Sequence, residues 1–272
     1  MPIGGKDYGT LEGGLVALGA AEKRFLEPKV LKTLLLPMRW HSAHFVLDDF
    51  AGRSLDTSLW ATAAGTGGTA FAVPAEANAL AGLSVARGAT GTTSGTVVSL
   101  RGQPFWLGDK NAGMAIRWRA SAVTSLGFEI GFTDPLTSYT AKTVTDIDTP
   151  AIGNGAVTVA LLARDPSQTL TTAALVLDGD TTYPTSKIDL GTWAPSAATW
   201  YTTIIQLAQD AVRVLVYDTS DPSRPALVDG GDKSSGNAFE GGTAVLPYAA
   251  FYNTSAANID VDVDFVAVWS DR

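Results

Sequence analysis

The chain has 272 residues, 46% of them hydrophobic and 17% charged, with a net charge of −8 and no cysteine. That is enough apolar material for one large domain or two small ones, and it excludes disulfides, thiolate zinc sites and thiol nucleophiles. Lys and Arg form no stripe that would favour nucleic acid, and no segment reaches the ~18 apolar residues of a membrane span.

Residues 1–40 differ in character from the rest. Met1 to Gly14 is Gly-rich and reads as extended. Its sequence lacks a basic stretch followed by an unbroken apolar one, so no signal peptide is expected and synthesis in a cytoplasm is. From Leu15 to Leu36, apolar residues fit helical spacing in pieces, interrupted by Pro28 and Pro37. The run Val30–Leu36 is too apolar to stay in water alone and needs a partner, its own body or another subunit. Residues 1–41 hold six Lys/Arg against four Asp/Glu, a mildly basic arm on an acidic body. The expected organisation is an arm with short helices over 1–40 and one domain over 41–272.

From His41 onward the apolar period becomes two. His44 to Asp48 opens as a strand, with Phe45 and Leu47 on one face and Val46 on the other. Short strands follow at Gly82–Gly88, Gly95–Arg101 and Met114–Ser121. In the last of these Met114, Ile116 and Trp118 face one way, and Arg117 and Arg119 the other. Further strands are predicted at Ser125–Thr133, Ala156–Arg164, Leu170–Leu177, Trp200–Leu207, Ala211–Tyr217, Ala244–Tyr252 and Ile259–Trp269. Turn-rich stretches such as DPLTS, DGDT, DPSRP and YNTSAAN separate them. This spacing, without an internal helix, predicts an all-β, two-sheet antiparallel sandwich.

Four stretches resemble a known fold family. DDFAGRSLDTSLW, Asp48 to Trp60, resembles the opening strand and turn of concanavalin A-like jelly rolls, the laminin G and glucanase-like group. WYTTIIQLAQDAVRVLVY, Trp200 to Tyr217, resembles that fold's long hairpin. PYAAFYN from Pro247 and VDFVAVW from Val263 resemble its last two strands. The resemblance covers about residues 42–272. It implies that the final strand pairs near the first, and it says little about function, because this sandwich hosts lectins, glycosidases and structural modules alike.

The glucanase branch implies carboxylates at alternating strand positions, a nucleophile and an acid/base about 5 Å apart. Of the six glutamates only Glu129 falls inside a predicted strand, and Gly131 and Thr133 occupy the next same-face positions. The motif is absent. His41 and His44 are the whole imidazole supply, and both sit at the junction of arm and body, where a catalytic triad is not expected. Asp260, Asp262 and Asp264 alternate on one face of the last strand, with Val261, Val263, Phe265 and Trp269 opposite. The expected role is a solvated outer face crossed by Arg117 and Arg119; the resemblance implies, as the alternative, a structural calcium at Asp264. Val266 and Val268 then fall on the outer face and require a cover, the arm or a partner subunit. Trp118 and Trp269 are assigned to the core, while Trp106 and Trp193 lie in loops where they would stack on sugars or pack at the core edge.

No catalytic residue, cofactor or metal ligand is therefore assigned, and the chain is not expected to be an enzyme. An adhesive apolar arm before a sandwich without a catalytic constellation resembles a bacteriophage capsid decoration or cement protein. That resemblance implies a virion location, binding of the major capsid protein or other virion subunits, and a homo-oligomer, a trimer. The alternative is a carbohydrate-binding module with a glycan as partner. An exposed Trp106 or Trp193 beside a polar groove would favour the second; an arm laid over another chain, with a flat or filled concave face, would favour the first.

Overall fold

The computed structural model describes residues 43–50, 54–74, 85–170, 172–179, 183–191, 193–208, 211–221, 224–234, 239 and 243–271. The expected arm over 1–40 and His41 lie outside them. The strands in chain order are β1 (Ala43–Asp48), β2 (Ala61–Ala64), β3 (Thr69–Ala72), β4 (Ala86–Ala89), β5 (Val97–Arg101) and β6 (Trp106–Leu107). There follow β7 (Gly113–Ala120), β8 (Leu126–Thr133), β9 (Val144–Asp146), β10 (Ala151–Ile152), β11 (Thr158–Arg164) and β12 (Ala174–Gly179). The remainder are β13 (Tyr183–Asp189), β14 (Tyr201–Leu207), β15 (Ala211–Asp218), β16 (Ala226–Ser234), β17 (Ala244–Asn253) and β18 (Asp260–Asp271). Among the described residues the only helical piece is one 3-10 turn, Gly108–Lys110.

Two eight-stranded antiparallel sheets make the sandwich. Sheet 1 runs β16-β15-β14-β7-β18-β4-β3, with β1 also paired to β18; sheet 2 runs β13-β12-β11-β8-β17-β5-β2, with β6 on β17. The expected hairpin is β14–β15, in register from Tyr201 opposite Asp218 to Leu207 opposite Val212. The last two strands lie in opposite sheets, and β1 pairs with β18 as the resemblance implied. Met114, Ile116 and Trp118 from β7 meet Leu126, Phe128, Ile130 and Phe132 from β8 in the core between the sheets. Trp118 is its centre, with Phe128, Tyr201 and Phe251 rings at 5.2, 5.7 and 5.4 Å.

One expectation is overturned on β18. A bulge between Val263 and Phe265 shifts the register against β7. A bulge inserts one extra residue, so alternation resumes on the opposite phase. Val266 and Val268 therefore enter the core, and Phe265, Ala267 and Trp269 turn outward. The outer face still becomes apolar beyond Asp264, but through different side chains.

Trp269 lies flat over Gly113 on the neighbouring strand, where an added Cβ would sit 2.3 Å from the indole. Gly113→Ala must displace that ring. We expect a loss of about 1–3 kcal/mol in chemical denaturation, the usual range for overpacking.

Candidate functional site

Catalysis and binding in a sandwich use the outer faces of its sheets or the loops at their ends. On β8 the core takes the even-numbered side chains, which leaves Gly127, Glu129 and Gly131 facing out from sheet 2. That face is not open. The chain between β8 and β11, residues 134–157, crosses it as a strap containing the β9–β10 hairpin. Leu136, Val144, Ile147 and Ala156 of the strap pack against Val159, Leu161, Tyr248 and Tyr252 of the sheet.

Polar contacts pin the strap along its length. Asp134 accepts from the amides of Val157 and Thr158 at its base, both at 3.1 Å. Asp148 accepts from the amides of Thr169 and Leu170, and Gln168 from that of Ile147. Lys142 reaches the buried Asp165 at 2.7 Å, and Arg101 lies 3.5 Å above the Tyr139 ring. At the centre, Glu129, with no exposed surface, accepts from the Thr143 amide at 2.9 and 3.0 Å and the Val144 amide at 2.8 Å.

These environments separate the two buried carboxyls electrostatically. Burial pushes Glu129 up to about 7, only partly opposed by the amides of Thr143 and Val144. Burial also acts on Asp165, but the Lys142 ammonium and the Ser167 hydrogen bonds outweigh it and hold that carboxyl below its usual value. Burial, with Glu129 nearby, drives the Tyr248 hydroxyl well above its ordinary value. The single glutamate that the sequence placed in a strand thus fastens the strap.

The outer face of sheet 1 divides at the β18 bulge. On one side is an ion ladder. Arg87 grips Asp262 through two bonds, 2.6 and 3.0 Å, and Arg119 adds a third at 3.0 Å. Arg117 reaches Asp264 at 2.5 Å and the Thr219 carbonyl at 3.0 Å. The guanidinium groups of Arg117 and Arg119 both lie over the Trp200 ring, 4.6 and 4.5 Å from its centroid. The expected crossing of the aspartates by Arg117 and Arg119 is present; Arg87 and Trp200 were not foreseen. Burial raises Asp264, opposed by the Arg117 charge. The residue considered for calcium is thus an ion-pair partner, and among the described residues no three His, Cys, Asp or Glu converge to hold a metal.

Beyond the bulge the same face carries an apolar cluster: Phe45 and Leu47, then Phe265, Ala267 and Trp269, then Ala115, Ile204, Leu215 and Tyr217. It continues to the edge strand β16, where Leu227 and Val228 are 57% and 39% exposed beside an open depression of about 470 Å³ that Arg213, Leu215 and Asp229 also line.

The loop tryptophans behave differently from a stacking platform. Trp106 and Trp193 are 4% and 8% exposed and belong to the core, Trp193 edge-on to Tyr201 at 5.4 Å. Trp269, expected in the core, belongs to the outer apolar cluster, because of the bulge. His44 is exposed opposite Ser270, apart from both carboxyl groups of sheet 2.

No family model matches the chain, and no curated protein matches it. Solved structures do. A protein of unknown function from Shewanella oneidensis MR-1 superposes with a TM-score of 0.55 at 14% identity, over 90% of this chain and 93% of that one. The carbohydrate recognition domain of Emp47p gives 0.53 at 11%, over 86% and 100%. The lectin UEA-II, solved with galactose, gives 0.52 at 9%, over 84% and 98%. At these identities the likeness is one of fold, and with the two sheets and their strand order it establishes that the body of this chain is a concanavalin A-like β-sandwich.

Proposed function

We propose that the chain is a non-catalytic virion structural protein, a bacteriophage capsid decoration protein that binds major capsid protein or other virion subunits. Residues 1–40 and the outer apolar face of sheet 1 are its adhesive parts. The observation that carries this reading is the use of the two outer faces. The strap fills that of sheet 2, and Glu129 is sealed beneath it, so this face offers no open platform for a substrate. Sheet 1 ends in an edge strand with exposed Leu227 and Val228, apolar side chains of the kind that mark association. A homo-oligomer, a trimer, suits repeated contacts on a lattice.

The test is quantitative mass spectrometry of gradient-purified particles from cells that express the gene during phage growth. Presence at lattice-scale copy number supports the reading; absence from particles while abundant in the lysate sinks it.

A carbohydrate-binding module is the second reading. It is favoured by the likeness of fold to the Emp47p carbohydrate recognition domain and to the galactose-bound lectin UEA-II. Among the described residues the exposed large aromatic is Phe105, 64% exposed, rather than Trp106 or Trp193. Glycan-array binding abolished by Phe105→Ala would establish it.

A further inference from the structure

β8 and β11 are antiparallel neighbours in sheet 2, with Thr133 opposite Val159. A turn of about two to five residues is enough to join such a pair. The chain uses residues 134–157 instead, and long connections of this kind commonly serve as lids or binding loops. The two ends of this strap meet at the sheet. The Asp134 amide donates to the Thr158 carbonyl at 3.0 Å, and the Asp134 carboxylate accepts from the Val157 and Thr158 amides. The strap therefore rises from one point, and lifting it breaks no pairing within sheet 2.

The strap is also held together from within. The β9–β10 pair joins its two legs, as do the Gly153 amide on the Thr143 carbonyl at 2.8 Å and the Thr137 amide on the Asn154 carbonyl at 2.9 Å. The Asn154 side chain accepts from the Ser138 amide and donates to the Ser138 and Ala141 carbonyls. A unit tied in this way moves as one piece.

Its central fastening is Glu129, and two features make that fastening releasable. The hydroxyls of Thr143 and Tyr248 lie buried beside it without a hydrogen-bond partner, so opening supplies both with water. Lys142, the cation that acts on Glu129, is already committed to Asp165 at 2.7 Å. Around Glu129 stand Lys142 and Tyr139 of the strap, Tyr248 and Tyr252 of β17, Arg101 of β5, and Arg164 and Asp165 at the end of β11, with the Arg164 guanidinium turned to the Val123 and Leu126 carbonyls. Asp165 is held below the usual carboxylate value, and burial holds the Tyr248 and Tyr252 hydroxyls well above their ordinary one. These three keep their charge state while Glu129, pushed up to about 7 by burial, changes its own near neutrality.

We propose that residues 134–157 are a hinged flap, closed over sheet 2 in acid and released as the solution turns neutral to alkaline, with Glu129 as its latch. Neutral Glu129 belongs to the closed flap. Ionised, it is a buried anion whose cation is taken, and opening returns it to water. Its closed value lies above the ordinary 4.5, so closure is fully favoured below 4.5 and weakens as pH rises through about 7. Release bares Val159, Leu161, Tyr248 and Tyr252 on the outer face of sheet 2. The assignment stands whether or not the protein binds capsids.

Native-state hydrogen exchange of the full chain from pH 5 to 8 tests it. Once the intrinsic pH dependence of exchange is divided out, opening at the Thr143, Val144 and Gly153 amides should rise roughly 70-fold over that range. The Ile116 and Trp118 amides of β7 should exchange far more slowly, through global unfolding alone. Glu129→Gln should abolish the rise. Equal protection of the strap and β7 amides would overturn the proposal, because the strap would then open only with the whole domain. A flat corrected profile in wild type would overturn it too, as would a full rise that persists in Glu129→Gln. The wild-type profile decides the matter even where the variant fails to fold. Particle proteomics addresses the capsid reading separately, so failure of one leaves the other readable.

Discussion

Glu129→Ala should lower stability at pH 5 by about 2–5 kcal/mol, through two buried amides left without an acceptor and the cavity beneath them. The Thr143 and Val144 amides are those donors. The penalty should then shrink toward pH 8. Glu129 has a folded value near 7 against a model value of 4.5. Its contribution is fully present below the unfolded value and is lost as pH rises through the folded one, a change of about 3 kcal/mol. Wild type carries that loss and the alanine variant does not. Urea titrations of both proteins at half-unit steps from pH 4.5 to 8 measure the difference directly. A pH-independent difference would mean that Glu129 titrates near its ordinary value. Glu129→Gln should flatten the same pH dependence while retaining an acceptor for the strap. Limited proteolysis within 134–157 should accelerate for the alanine variant well before global unfolding, because the strap loses its central anchor first.

The second large effect belongs to the ion ladder. Arg117→Met should cost about 3–5 kcal/mol, the range for breaking a buried pair and stranding one charge. Asp264 is that charge, its side chain 3% exposed and its main counterion gone, and Trp200 loses one of its two stacked guanidinium groups. The sign of the pH dependence follows. Without Arg117 the folded value of Asp264 rises further above its ordinary one, so the deficit is largest at neutral pH and shrinks as the solution is acidified toward the usual carboxylate range. Adding Asp264→Leu to Arg117→Met should recover most of the loss, since an apolar pair replaces an ionic one. A double-mutant cycle by thermal and urea denaturation separates the pair from its surroundings. Equal losses in single and double variants would show that the arginine acts through Trp200 and Thr219 rather than through Asp264.

How far the sequence could be read depends on where each residue sits in its sheet. β7 was legible because Met114, Ile116 and Trp118 alternate with charges, and only one phase buries the apolar set. β18 was legible as far as Asp264. After it, Phe265, Val266, Ala267, Val268 and Trp269 are apolar on both phases, so nothing local marks the bulge that exchanges the faces. β13 and β16 escaped notice as edge strands: one carries Pro184, the other Gly230 and Gly231, residues that central strands avoid. Trp106 and Trp193 looked like loop aromatics because their strands are two residues long or absent, although both rings reach the core. Glu129 stands out in the sequence only as the one glutamate inside a predicted strand, without the carboxylate partners of a catalytic motif. Its task was hidden, because the strap it holds reads as turn residues and meets it only in three dimensions.

The position of β18 has a consequence for how the protein is made. This strand lies between β7 on one side and β1 and β4 on the other, so sheet 1 without it is two separate ribbons and a lone β1. While the ribosome is still threading the chain, β1 has no partner, and the ribbon β16-β15-β14-β7 ends in a bare, fully hydrogen-bonding edge. Sheet 1 closes only when Asp260–Asp271 emerges, by a long-range pairing of the kind that folds on the millisecond-to-second scale rather than in microseconds. A nascent chain stalled just before Asp260 is therefore the species in which neighbouring copies would pair strand to strand, and the place where a chaperone would have the most to protect.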